Sequence, residues 1–146
     1  MRFFFYGTLM DRDVLIRVLG RPVQAAALKP AVLHGWRRTA IKGASYPIVL
    51  RDRSAFVEGI TLDGVSRPES ERLAAYEGDR YRLVQAFAEF PERGPRAVFL
   101  FLPRPGAFQS FDEEWSLTAW QATHKERFLA RLAAAVRDAA NAADQP

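Results

Sequence analysis

Two short stretches of this chain place reactive groups where they could do chemistry. In Tyr76-Glu77-Gly78-Asp79-Arg80-Tyr81, Glu77 falls in the last turn of a helix that ends at Gly78. The negative end of a helix dipole disfavours an ionised carboxylate. Tyr76 and Tyr81 reduce its solvation further. Both effects raise the pKa toward the range in which a carboxyl accepts and returns a proton near neutral pH. The alternative is a surface glutamate paired with Arg80 or Arg82. In Phe3-Phe4-Phe5-Tyr6-Gly7-Thr8-Leu9, a strand ends abruptly at a glycine and a capping residue. The first N–H groups of the helix that follows have no intrahelical partner. They would favour a carboxylate or an oxyanion, and the Tyr6 phenol could donate one further hydrogen bond. The alternative here is an ordinary strand–turn–helix junction. Taken together, the stretches suggest a pocket with an anion seat and a proton-transferring carboxyl.

The elements that must hold these groups follow from apolar periodicity and from the residues that break it. Arg2 to Tyr6 is a short apolar run, consistent with a buried strand. Thr8, with Asp11 three residues on, has the spacing of a capping box, and Leu9, Val14, Leu15 and Val18 form one helical face up to Gly20. Strands are expected over 32–41, with an irregularity at Gly35, and then separately over 46–50 and 55–62. Ser66-Arg67-Pro68-Glu69 opens a second helix, closed by Gly78. Strands follow over 81–90 and 96–102. Leu117, Trp120, His124, Phe128, Leu132 and Val136 form the apolar stripe of one long C-terminal helix, with His124 in the core or at an interface. The final Ala, Asp, Gln and Pro residues are expected to fray. Mostly consecutive strands without sustained βαβ alternation argue for an α+β fold around a mixed or antiparallel sheet, closed as a small barrel with flanking helices. One domain over 1–146 is expected, with a core of about 1–110 and a helical extension over about 112–142.

Composition removes several chemistries. There is no cysteine, hence no disulfide, thiolate metal site or cysteine nucleophile. His34 and His124 stand far apart without ligand spacing, so no metal is expected. No phosphate loop, dinucleotide fingerprint or nucleophile elbow occurs, and no cofactor is expected. The net charge is +4, and 18 of the 21 basic residues are arginine, scattered along the chain. A nucleic-acid binder gathers such charge on one element, so nucleic acid is not an expected partner. Glu58, between Val57 and Gly59, is a second candidate pocket carboxylate, although an outward-facing glutamate is the simpler expectation. No apolar run approaches a membrane span and no cleavage site follows the N-terminal run. The expected location is therefore the cytoplasm, away from any membrane. The tryptophan-bearing tail could pack on a neighbouring copy as a homodimer.

Four pieces in order resemble the γ-glutamylcyclotransferase-like family, including the plant avirulence-induced group and γ-glutamylamine cyclotransferase. They are Phe5-Tyr6-Gly7-Thr8-Leu9-Met10, Tyr46-Pro47-Ile48-Val49, Val57-Glu58-Gly59-Ile60, and Tyr76-Glu77-Gly78 followed by Tyr81-Arg82, within residues 3–102. The resemblance implies a small mixed β-barrel and a catalytic glutamate at Glu77. It also implies substrate contacts from Tyr6, Gly7, Thr8 and Leu9, with Tyr46, Pro47 and Tyr81 lining the pocket. Ala74-Ala75 depart from a Leu-Asp pair common in the family, and Trp115 and Trp120 are expected to lie outside the shared core. The implied reaction cyclises a γ-glutamyl amine or peptide to 5-oxoproline with release of the amine, without metal, cofactor or covalent intermediate. The amine side of the substrate stays open: glutathione, a γ-glutamyl dipeptide, γ-glutamyl-lysine or a γ-glutamylated intermediate. The alternatives are a non-catalytic module of the same fold that binds a small carboxylate, and a nucleic-acid-binding barrel.

Overall fold

Phe3, Phe4 and Phe5 form strand β1 (Phe3–Phe5), and all three side chains are buried. A strand with packed layers on both faces requires such an unbroken apolar run. Phe3 and Phe5 point to one hydrophobic cluster, together with Val14, Leu15, Leu73 and Trp120. Phe4 and Tyr6 point to another, with Leu33, Val49, Val57, Val98 and Leu100. The first is the layer between helices and sheet; the second is the interior of the sheet itself. The computed structural model describes residues 1–143, and the fraying expected of the C-terminal residues falls on 144–146, outside the described residues.

After β1 come helix α1 (Arg12–Leu19), strands β2 (Leu28–Ala40) and β3 (Pro47–Leu62), helix α2 (Arg67–Glu77), strands β4 (Tyr81–Phe90) and β5 (Gly94–Pro103), and helices α3 (Leu117–Thr123) and α4 (Lys125–Ala143). The strands close into a barrel in the order β1-β3-β2-β4-β5. Only the β1–β5 pairing is parallel; the others are antiparallel. The expected α+β class with a small mixed barrel is what the chain adopts.

Three local expectations change. The segments 46–50 and 55–62 are one strand, β3. Its residues 52–55, three of them polar, stand opposite the single Gly35 of β2, where the register shifts as expected. Ser54 closes that arch, donating from its amide (3.0 Å) and hydroxyl (2.7 Å) to Asp52. Thr8 is not a helix cap. Residues Thr8–Met10 form a single 3-10 turn, and the cap of α1 is Asp11, which accepts from the Val14 amide at 3.1 Å. The C-terminal helix begins at Leu117 rather than near 112 and breaks at His124, which is exposed. Ahead of it, residues 109–113 pair along the end of β2, with Lys42 donating to Gln109 (2.8 Å) and Phe111 donating to Ala40 (3.0 Å). Trp120 is 2% exposed and belongs to the core.

Helix α2 is set in register at both ends. The capping box predicted at Ser66 and Glu69 is present, and Gly78 ends the helix at a φ of 81°, where a Cβ would be strained. Arg21 pairs with Glu69, and Arg72 donates to the Leu19 carbonyl at 3.1 Å, tying α2 to α1. Glu77 is thereby delivered at the helix end nearest β1.

At Gly59 on β3, β1 and β3 approach closely. A Cβ there would run into the Phe4 ring and stand 2.5 Å from the Phe5 carbonyl oxygen. Overpacking of this kind costs about 1–3 kcal/mol. Gly59→Ala is therefore expected to lower the unfolding free energy by that amount, moving the urea midpoint down at an unchanged slope; a midpoint equal to that of the native chain would show that β1 is not so confined.

Candidate active site

The turn after β1, the start of β3 and the end of α2 surround a cavity of about 190 Å³. Liquid water occupies about 30 Å³ per molecule, so the space equals roughly six waters, enough for one amino-acid-sized group. Tyr6, Gly7, Thr8 and Leu9 form one wall. Tyr46 and Pro47 enter at the start of β3, Tyr76 and Glu77 from α2, and Tyr81 from the start of β4. Each residue singled out from the sequence therefore borders the same space. Phe101 of β5 and Phe128 of α4 complete it; neither was expected. Phe128 was read only as a member of the apolar stripe, and nothing in its spacing separates a cavity wall from a core contact.

Glu77 is half-buried, and among the described residues no side chain or amide donates to its carboxylate. Pairing with Arg80 or Arg82 does not occur among the described residues. Arg80 instead donates to the Ala107 carbonyl, and its guanidinium lies 4.0 Å above the Phe108 ring. Burial raises the Glu77 carboxyl from 4.5 to about 8. The group is therefore close enough to neutrality to exchange a proton in either direction.

The tyrosines differ in what their hydroxyls do. Tyr6 was expected to donate to a ligand, but it donates to the Phe101 carbonyl at 2.6 Å inside the barrel. Its phenol is raised by burial and then by the neighbouring Glu77 and Tyr81. Tyr76 shares a hydrogen bond of 2.7 Å with the Thr8 hydroxyl, stitching the end of α2 to the turn after β1. Tyr46 and Tyr81 line the cavity with hydroxyls that no group engages among the described residues. Burial and then Glu77 raise the Tyr81 phenol, so it stays protonated and able to donate. Phe108 packs on both rings, with centroids 6.2 Å from Tyr46 and 5.2 Å from Tyr81.

The turn itself offers donors, for a different reason than expected. No α-helix begins at Thr8, so a helix dipole does not act there. The 3-10 turn directs Met10 N–H to Gly7 and Asp11 N–H to Thr8, both backwards. The Thr8 and Leu9 amides have no partner among the described residues. Gly7 turns the backbone with φ at −127° and ψ at −139°, and its missing side chain leaves room for Pro47, whose Cδ would stand 3.2 Å from a Cβ. Glu58 is exposed, as expected. Among the described residues no three His, Asp or Glu side chains gather as a metal would need, and no helix is long and apolar enough to cross a membrane.

The sequence profile of the family described as gamma-glutamyl cyclotransferase, AIG2-like, matches residues 3–121. The chain belongs to that family. It is 30% identical over 127 residues to AIG2-like protein A of Arabidopsis thaliana, a match covering 86% of this chain and 75% of that protein. Protein AIG2 C of the same plant is 28% identical over 131 residues, with the same shares. The solution structure of an Arabidopsis thaliana protein, 27% identical, superposes with a TM-score of 0.63 over 99% of this chain and 93% of that one. A solved gamma-glutamyl cyclotransferase at 10% identity shares the fold, with a TM-score of 0.54 over 75% of this chain and 69% of that one. The family profile reaches residue 121, so Trp115 and Trp120 fall inside the shared region, contrary to expectation. Phe128 lies beyond it.

The raised Glu77 carboxyl has a consequence for stability. The folded protein favours the protonated form, whereas the unfolded chain ionises near 4.5. The stability this contributes is complete below 4.5 and is lost as pH rises to about 8. Glu77→Gln removes that loss. Its melting temperature is expected to gain on the native chain across this interval and to level off above it. In scanning calorimetry, a difference that does not vary with pH would contradict the raised carboxyl.

Proposed function

We propose that this protein is a γ-glutamyl cyclotransferase-type enzyme in which Glu77 carries the protons. The observation that supports this most is an unpaired, desolvated carboxyl sharing a small cavity with uncommitted backbone amides and phenols. A γ-glutamyl amine carries an α-ammonium within reach of its own side-chain carbonyl. Ionised Glu77 takes one proton from that ammonium. The freed nitrogen attacks the γ-carbonyl carbon, forming the ring C–N bond. Glu77 then passes its proton to the departing nitrogen as the amide C–N bond breaks. The ring nitrogen gives up a second proton by the same route. The products are 5-oxoproline, with one hydrogen on its nitrogen, and the amine as its ammonium form, so atoms and charge balance.

The Thr8 and Leu9 amides are the groups available to the substrate α-carboxylate. The Tyr46 and Tyr81 hydroxyls are available to the γ-carbonyl oxygen as it gains charge. Losing one donor of that kind costs about 3 kcal/mol of barrier. Much of the rate is expected from folding the substrate, since intramolecular attack reaches effective molarities of about 10⁵ M or more. An ammonium beside Glu77 lowers its pKa on binding, so the base is available at neutral pH even though the free group titrates at about 8.

Two expectations follow for γ-glutamyl amine turnover, measured by mass-spectrometric detection of 5-oxoproline. Glu77→Gln folds and loses nearly all turnover, about 10²-fold or more. The rising limb of kcat/KM in the native enzyme levels off near pH 8, whereas that of kcat lies lower. Saturable binding of γ-glutamyl compounds without 5-oxoproline release, or full turnover by Glu77→Gln, would contradict the proposal.

A further inference from the structure

A guanidinium takes over where the ladder of β1 stops. The pairing of β1 with β3 ends at Phe5 and Ile60; continued, it would set Gly7 against Glu58. Instead Arg38 of β2 donates through Nη1 to the Tyr6 carbonyl at 3.0 Å and to the Glu58 carbonyl at 3.1 Å. Its guanidinium carbon lies 5.7 Å from the centre of the Trp115 ring. Trp115 in turn donates to the Ser45 carbonyl at 2.7 Å, next to Tyr46 of the cavity wall. Arg38 is half-buried and does not line the cavity; it borders an open groove on the far side of the turn, with Trp115 and Glu58. Glu58 and Glu114 are near enough to favour its charged form, but neither makes an ion pair with it among the described residues.

We infer that Arg38 is a positioning residue for the anion seat: from behind the cavity wall it fixes and polarises the Tyr6–Gly7 peptide, so that the Gly7 amide joins those of Thr8 and Leu9 in holding a carboxylate. That this carboxylate is the α-carboxylate of a γ-glutamyl group rests on the cyclotransferase reading above; the seat itself does not. The peptide bond between Tyr6 and Gly7 is trans, so its N–H points opposite to its C=O. The carbonyl faces Arg38. The amide faces the other way, on a residue that lines the cavity, and has no partner among the described residues. A cation on the carbonyl draws electron density through the peptide and strengthens the hydrogen bond that its amide donates. No lysine, arginine or histidine lines the cavity itself. Arg38, one peptide unit behind the wall, supplies the positive charge that the seat otherwise lacks. A guanidinium suits the place because it stays charged when half-buried and stacks on an aromatic face.

Two ligands separate this role from general support of the fold. 5-Oxoproline and 2-pyrrolidinone share the lactam ring and differ by the carboxylate. In calorimetric titration the native chain is expected to prefer 5-oxoproline, and Arg38→Met is expected to lower that preference by about tenfold or more, the scale of a weakened hydrogen bond to a charged group. Arg38→Lys, which keeps the positive charge, is expected to lower it by less and serves if the methionine variant does not fold. In either variant the nitrogen-15 resonance of the Gly7 amide is expected to move, because the bond at the Tyr6 carbonyl polarises the same peptide. A preference unchanged in whichever variant folds would overturn the inference. So would equal losses for both ligands, which would mean that Arg38 only supports the fold, or a native chain without the preference. Failure of the native chain to release 5-oxoproline from γ-glutamyl amines would contradict the cyclotransferase reading alone, since the comparison of the two ligands needs no turnover.

Discussion

Strand β1 has no side that faces water. Phe3 and Phe5 pack against the helices, Phe4 and Tyr6 fill the barrel, and Gly59 admits the strand only because it has no side chain. Burying one phenylalanine completely is worth about 1.5–3 kcal/mol, so a three-residue strand can be held as firmly as a much longer one. It also closes the barrel, pairing with β3 on one side and β5 on the other. The turn that follows inherits this rigidity. The Thr8 and Leu9 amides and the Gly7–Pro47 contact stay fixed because the strand before them cannot shift without opening two cores.

The second half of the site depends on α2, whose capping box and terminal glycine determine which residue arrives at the cavity. The bond between Tyr76 and Thr8 then joins the two halves. Two sequestered carboxyls near this junction meet opposite fates. Burial alone would raise Asp11, but hydrogen bonds from Lys125, Gln121 and Val14 outweigh it and hold the group below the usual carboxylate range. Glu77 has no such donor among the described residues and is pushed up by burial. One carboxylate fastens the C-terminal helices in place; the other is left poised to move protons. Perturbation without a partner, inside a cavity, is the pattern expected of a working group rather than a structural one.

What was legible in the sequence was local. Ser66 with Glu69 and Gly78 marked both ends of α2 because capping and termination depend on neighbouring residues alone. The apolar run of β1 declared a strand buried on both faces, and Gly35 declared a break in β2. Thr8 was misread because Thr8 and Asp11 match a capping-box spacing, although Asp11 is itself the cap and Thr8 is drawn to Tyr76 across the fold. Residues 51–54 stood between two expected strands and belong to an arch within β3, visible only once β2 lies beside them. That Tyr6 spends its proton on Phe101, and that Phe128 turns into the cavity, depend on contacts 95 residues apart in the first case and on a helix break at His124 in the second. Spacing along one chain encodes neither.

The claim on which the functional account rests is that the half-buried Glu77 carboxyl is poorly solvated and has nothing to pair it among the described residues. Titration of its carboxyl carbon by carbon-13 NMR in the ligand-free protein reads this directly. The account predicts a midpoint near 8, far above the ordinary 4.5. A midpoint at the ordinary value would mean that the carboxyl is solvated or already paired, and the proton-carrying role assigned to it would not stand.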